Sequence, residues 1–105
     1  DDADAFAARV VGDSMEPDYR AGDVVVFSPA RAVKDGMDCF VRLEPYHETT
    51  FKRVRLVRSV AAGREGEGEV THIRLEPRNA RYQVRVVERE QVAGMYAAVS
   101  VIKKL

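Results

Sequence analysis

The sequence predicts a mainly β domain, and three observations carry that prediction. Its apolar runs are short, they are rich in β-branched residues, and clusters of turn-forming residues interrupt them at close intervals. At 105 residues the chain is expected to form one domain, 1–105, around one core of modest stability.

Seven strands follow from this pattern, near 6–11, 24–27, 38–43, 51–60, 70–75, 84–88 and 92–102. Between the first two, the segment from Ser14 to Arg20 is too short for a full helix. Pro17 and the Ala21-Gly22-Asp23 cluster predict a helical turn followed by a tight turn there. Ser14 is then expected just beyond a strand end, exposed by the bend. The polar run 44–50 reads as a hairpin link. The glycine and charge cluster 61–69 has little to bury and is expected to be mobile. The last strand, Val92 to Ile102, is apolar on both faces and must be covered twice, by the core or by another subunit, and the sequence alone favours the core.

Composition narrows the function. Formal charge sums to zero, against a general nucleic-acid or membrane surface. The single cysteine, Cys39, excludes an internal disulfide and reads as a small core hydrophobe in a reducing cytoplasm. No run reaches membrane-spanning length, and the acidic start Asp1-Asp2-Ala3-Asp4 is unlike the basic head of a signal peptide. One cysteine with His47 and His72 gives zinc no adequate ligand set, so no metal and no cofactor is expected. His47 sits in a polar loop and His72 shares a strand face with Val70 and Arg74, which favours structural roles over a Ser-His pair. Arg53, Arg55, Arg58, Arg74, Arg78, Arg81, Arg85 and Arg89 interleave with Glu65, Glu67, Glu69, Glu76, Glu88 and Glu90. Charge pairs across a solvated face account for them.

Two segments carry chemistry. In Phe51-Lys52-Arg53-Val54, strand alternation puts Lys52 with Val54, Leu56 and Val60, and puts Arg53 and Arg55 on the other side. Phe51 and Val57 on the arginine side, and Arg58 on the apolar side, break the pattern; a bulge or strand end near Arg58 would explain the last. A lysine in a strand ordinarily snorkels to solvent. One that is desolvated instead loses its proton more easily and becomes a general base. In Gly12-Asp13-Ser14-Met15-Glu16-Pro17, Ser14 reads either as a turn cap or as a nucleophile presented by a bend. The backbone N–H groups of Ser14 and Met15 are the nearest oxyanion donors. Asp13 reads as a turn or hydrogen-bonding residue. Met15 packs under the loop or lines a cleft, and Pro17 stiffens the exit.

These motifs, with Val10-Val11, Ala21-Gly22-Asp23-Val24-Val25-Val26, Asp35-Gly36, Leu75-Glu76-Pro77-Arg78-Asn79-Ala80-Arg81-Tyr82 and Val92-Ala93-Gly94, resemble the carboxy-terminal peptidase domain of the LexA, UmuD and phage-repressor family. The resemblance covers nearly the whole chain. It implies a LexA-like, signal-peptidase-like fold and a serine peptidase that cleaves its own polypeptide with Ser14 as nucleophile and Lys52 as general base. It further implies a homodimer formed partly through the last strand and a trigger in the RecA filament on single-stranded DNA. The parent is then a repressor of SOS-response or prophage genes, binding operator DNA through an amino-terminal domain. The family's scissile pair, Ala-Gly or Cys-Gly, lies upstream of the serine, and residues 1–13 contain neither. The chain is therefore expected to be a truncated or processed piece. Ala21-Gly22, Ala62-Gly63 and Ala93-Gly94 fall within the fold and are not expected to be substrates. Two alternatives stand beside this reading: a non-cleaving dimerisation and sensing module of a regulator, and a UmuD-like accessory subunit of a translesion polymerase. An exported signal peptidase fits less well, because no membrane segment accompanies the two residues.

Overall fold

The computed structural model describes residues 2–60, 63–64 and 66–105. Among the described residues, seven strands form one sheet: β1 Phe6–Arg9, β2 Val24–Ser28, β3 Asp38–Leu43, β4 Glu48–Arg58, β5 Val70–Glu76, β6 Arg85–Glu88 and β7 Val92–Ile102. Their order across the sheet is β1-β2-β7-β3-β4-β5-β6, with every neighbouring pair antiparallel. A mainly β fold is thus what the sequence builds.

Alternating side chains give the sheet an apolar cluster on each face rather than the single core expected. On one face Cys39, Val41, Val54, Ile73, Leu75 and Ala97 are almost fully buried. On the other, Val10, Val25 and Phe27 are buried beneath Phe6, Tyr19, Phe40, Phe51 and Tyr96. Ring centroids there lie 4.8 Å apart for Tyr19 and Phe51 and 5.4 Å for Phe27 and Phe51, both pairs meeting edge to face. Burying a side chain such as Phe27 stabilises the fold by roughly 1.5–3 kcal/mol. The second cluster explains why Phe51 stands on the arginine side of β4: that face is covered at one end and open at the other.

Several boundaries differ from expectation. β1 stops at Arg9, because Val10 turns aside and exchanges backbone hydrogen bonds with Gly22 and Asp23. β4 begins at Glu48 rather than Phe51, so the link shrinks to the turn 44–47, and Glu48-Thr49-Thr50 pair with Leu43-Arg42-Val41 despite their polarity. It ends at Arg58 after a register shift at Val57/Arg58, which frees Arg58 from the apolar face and leaves Val60 exposed instead of packed beside Lys52. The segment after β1 keeps to expectation: turns begin at Ser14, Tyr19 N donates to Met15 O as in a single helical turn, and Asp23 N donates to Arg20 O in the tight turn that follows. A short 3-10 turn, Arg89–Gln91, joins β6 to β7 and was not expected. In the cluster 61–69, residues 61, 62 and 65 lie outside the described residues, while Glu69 O accepts from Ser59 N and Gly68 O from Arg58.

β7 divides in two. Its first part, Val92–Ala97, pairs with β3 and its second, Ala97–Ile102, with β2; Val99, Val101 and Ile102 are exposed, so plain core burial holds for only part of the strand. The charge pairs also differ from a solvated lattice. Arg53, Arg55 and Arg74 all converge on Glu76, which is buried, at 3.0, 3.3 and 3.2 Å. Arg78 bridges Asp18 and Asp38, each at 2.9 Å.

Candidate active site

Lys52 stands opposite Cys39 in the β3–β4 register. Its ammonium runs back along β4, and the Nζ lies 2.9 Å from Thr50 Oγ1, 3.2 Å from the Phe51 carbonyl oxygen and 3.2 Å from Ser14 Oγ. Ser14 and Lys52 are therefore within hydrogen-bond reach, both half-buried. Burial holds the Lys52 ammonium below its ordinary pKa; Glu48 opposes that shift and Arg85 reinforces it.

The serine turn is fixed from three sides. Gly12, at φ 77°, supplies the left-handed residue that turns the chain out of β1. Behind the turn, the Asn79 N–H donates to the Ser14 carbonyl at 3.0 Å and Asn79 Nδ2 to the Asp13 carbonyl at 3.0 Å, while the Tyr82 hydroxyl donates to the Asp13 carboxylate. Asp13 is thus a hydrogen-bonding residue of the turn, as expected. At its exit, the Tyr19 hydroxyl donates to Asp38 at 2.8 Å, and Arg78 joins Asp38 to Asp18. Asp23, 2% exposed, accepts from the backbone N–H groups of Arg20 and Lys104 and from Lys103 Nζ, which ties the carboxy-terminal tail to the same turn. Among the described residues, the Ser14 and Met15 N–H groups have no acceptor in the protein.

A cleft of about 260 Å³ opens over the two side chains. Met15, buried beneath the turn, lines it as well, so both expectations for that residue hold. Ala8, Val25, Phe27, Phe40 and Phe51 give it an apolar lining, and Arg9, Val11 and Thr49 line it as well. The histidines are elsewhere: His47 pairs with Glu44 at 3.3 Å in an exposed turn, and His72 Nδ1 lies 2.9 Å from Thr71 Oγ1.

A Peptidase S24-like family model matches residues 1–99. The chain belongs to that family. The resemblance to LexA and phage-repressor peptidase domains read from the motifs is accordingly borne out. The chain is also similar to the prophage repressor CohE of Escherichia coli (strain K12), 39% identical over 49 residues. That match takes in 47% of this chain and 22% of the repressor, so the chain spans well under two thirds of its relative's length.

Within this S24-like domain the sequence left Thr50, Asn79 and Tyr82 without roles and gave Asp23 only a place in a tight turn. The block Leu75 to Tyr82 stood out as a motif, but a motif alone does not say that its asparagine braces a turn so distant in sequence. Thr50 lay inside a stretch read as loop, where strand alternation with Lys52 was invisible. Among the described residues, no helix is long and apolar enough to cross a membrane.

Proposed function

We propose that this domain is the carboxy-terminal part of a LexA-like or prophage repressor that cleaves its own polypeptide through Ser14 and Lys52. The observation that carries the reading is the 3.2 Å approach of Lys52 Nζ to Ser14 Oγ at the floor of a cleft. A neutral amine has two hydrogens and one lone pair. Thr50 Oγ1 and the Phe51 carbonyl can accept both hydrogens, which leaves the lone pair toward the serine hydroxyl.

The chemistry follows. Ser14 Oγ attacks the carbonyl carbon of a peptide laid in the cleft, and its proton passes to Lys52. The Ser14 and Met15 N–H groups receive the negative charge on the carbonyl oxygen. Collapse of the adduct expels the amine, which takes the proton from Lys52, and water then hydrolyses the acyl-serine. The substrate bond belongs to the parent polypeptide, upstream of this domain.

The exposed Val99, Val101 and Ile102 favour a second element of the same reading, a homodimer joined through the end of β7. Operator DNA is bound by a separate amino-terminal domain, and cleavage parts it from the dimer in the cytoplasm. A RecA filament on single-stranded DNA acts by favouring the cleavable conformation, since the reacting groups are already together.

Intact mass of the full-length parent, incubated from neutral to about pH 10 beside Ser14→Ala and Lys52→Ala, tests this. Cleavage that rises with pH and is lost in both variants is expected. A parent that stays whole at every pH, and with activated RecA filament, would leave the dimerisation module as the better reading.

A further inference from the structure

Glu48, Thr50 and Lys52 alternate along β4 and form one row on one face of the strand. Because Lys52 Nζ reaches Thr50 Oγ1, the lysine side chain runs back along that row, toward Glu48. Same-face neighbours on a strand are about 6.8 Å apart, so a glutamate turned along the row can reach an amine poised over the middle residue. Glu48 is turned away instead. Its Oε2 pairs with Arg85 Nη1 at 2.5 Å, and Arg85 opens β6, two strands across the sheet.

We propose that Arg85 is a positioning residue for the Ser14–Lys52 pair: by holding Glu48 aside it prevents a Glu48–Lys52 ion pair and so sets the pH at which the amine becomes a free base. The proposal rests on reading Lys52 as that base. The other charged or titratable groups about the lysine are engaged or remote. Cys39, its cross-strand neighbour, is a neutral thiol that burial pushes up to about 12. Asp13 is taken by Tyr82, and Glu44 by His47. Arg53 and Arg55 stand on the opposite face with Glu76. Arg9 lines the cleft, and Glu16 belongs to the serine turn. Glu48 is the carboxylate in line with the amine, and its pull on the ammonium opposes that of Arg85.

The test is a titration of the Lys52 ε-carbon by NMR in the chain itself, which has four lysines, with the signal assigned by its loss in Lys52→Ala. Arg85→Gln is expected to raise the midpoint by about half a pH unit, the effect of moving one unit charge by several ångströms in watery surroundings. Glu48→Gln is expected to lower it, and Arg85→Gln is expected to move it less once Glu48 is gone, by the direct repulsion between Arg85 and the ammonium alone. Arg85→Lys, which keeps a cation for Glu48, is expected to stay near the wild type. An unmoved midpoint in Arg85→Gln or Glu48→Gln overturns the proposal. So does an Arg85→Gln shift of equal size with and without Glu48, because Arg85 would then act through its own charge alone. Failure of the general-base reading looks different: the midpoints move as expected, yet cleavage of the full-length parent ignores them.

Discussion

The Asn79 N–H donates to the Ser14 carbonyl oxygen at 3.0 Å and makes the loop after β5 a brace for the serine turn. The Asn79 side chain doubles the brace through the Asp13 carbonyl and folds its own loop by accepting from Arg81 N. Replacing Asn79 with alanine removes the side-chain bonds and keeps the backbone one. Stability is expected to fall by about 1 kcal/mol, read from the urea midpoint. Self-cleavage of the parent is expected to slow by about tenfold as the serine drifts. An unchanged cleavage rate in the destabilised variant would restrict Asn79 to a folding role.

Thr50→Val keeps the shape of the side chain and deletes the acceptor nearest the lysine amine. The amine then loses one of the bonds that aim its lone pair at Ser14. Cleavage on the high-pH plateau, where deprotonation no longer limits, is expected to fall about tenfold while thermal unfolding stays near that of the wild type. Equal plateau rates would show that Phe51 and packing alone orient the amine.

Asp23 is expected to contribute to acid stability. Hydrogen bonds from the backbone N–H groups of Arg20 and Lys104 hold its carboxyl down to about 2, against burial and with help from Lys103, compared with an ordinary value of 3.8. A depressed folded-state pKa contributes stability that is fully present above the ordinary value and is lost as pH falls toward the folded one. Asp23→Asn is therefore expected to flatten the loss of stability between about pH 4 and pH 2, measured by denaturation at stepped pH. A variant that follows the wild-type curve would place that acid sensitivity in other carboxylates.

Cys39 is fully buried, and burial, with the charge of Asp38 adding to it, raises its thiol to about 12. The folded chain is expected to resist a disulfide reagent at about pH 8 and to react fully in concentrated urea. Rapid labelling of the folded chain would mean that β3 and β4 open readily beside Lys52.

Strands were legible in the sequence where burial and turn chemistry agreed, as at Asp38–Leu43, which is found with its expected bounds. They were misjudged where pairing overrode composition: Glu48-Thr49-Thr50 look like a loop, yet β3 supplies their hydrogen-bond partners. The face of β4 was read correctly for Lys52 and Val54 and wrongly for Val60, since a register shift near the strand end is invisible to strict alternation. At the candidate site, Ser14 and Lys52 stood out because their residue types and flanks are distinctive, and the fold brings them within 3.2 Å of each other. Their brace did not stand out, because Asn79 and Tyr82 act through hydrogen bonds between segments far apart in sequence, which no local pattern encodes.

The position of β7 in the sheet has a consequence in time. Ser14 follows β1 and Lys52 lies on β4, and within the sheet the β1–β2 half meets the β3–β6 half only across this last strand. A growing chain that has already emerged as far as Gln91 carries both side chains but lacks the rail that aligns them. Along the sheet, serine and lysine are thereby expected to be aligned only once synthesis reaches β7.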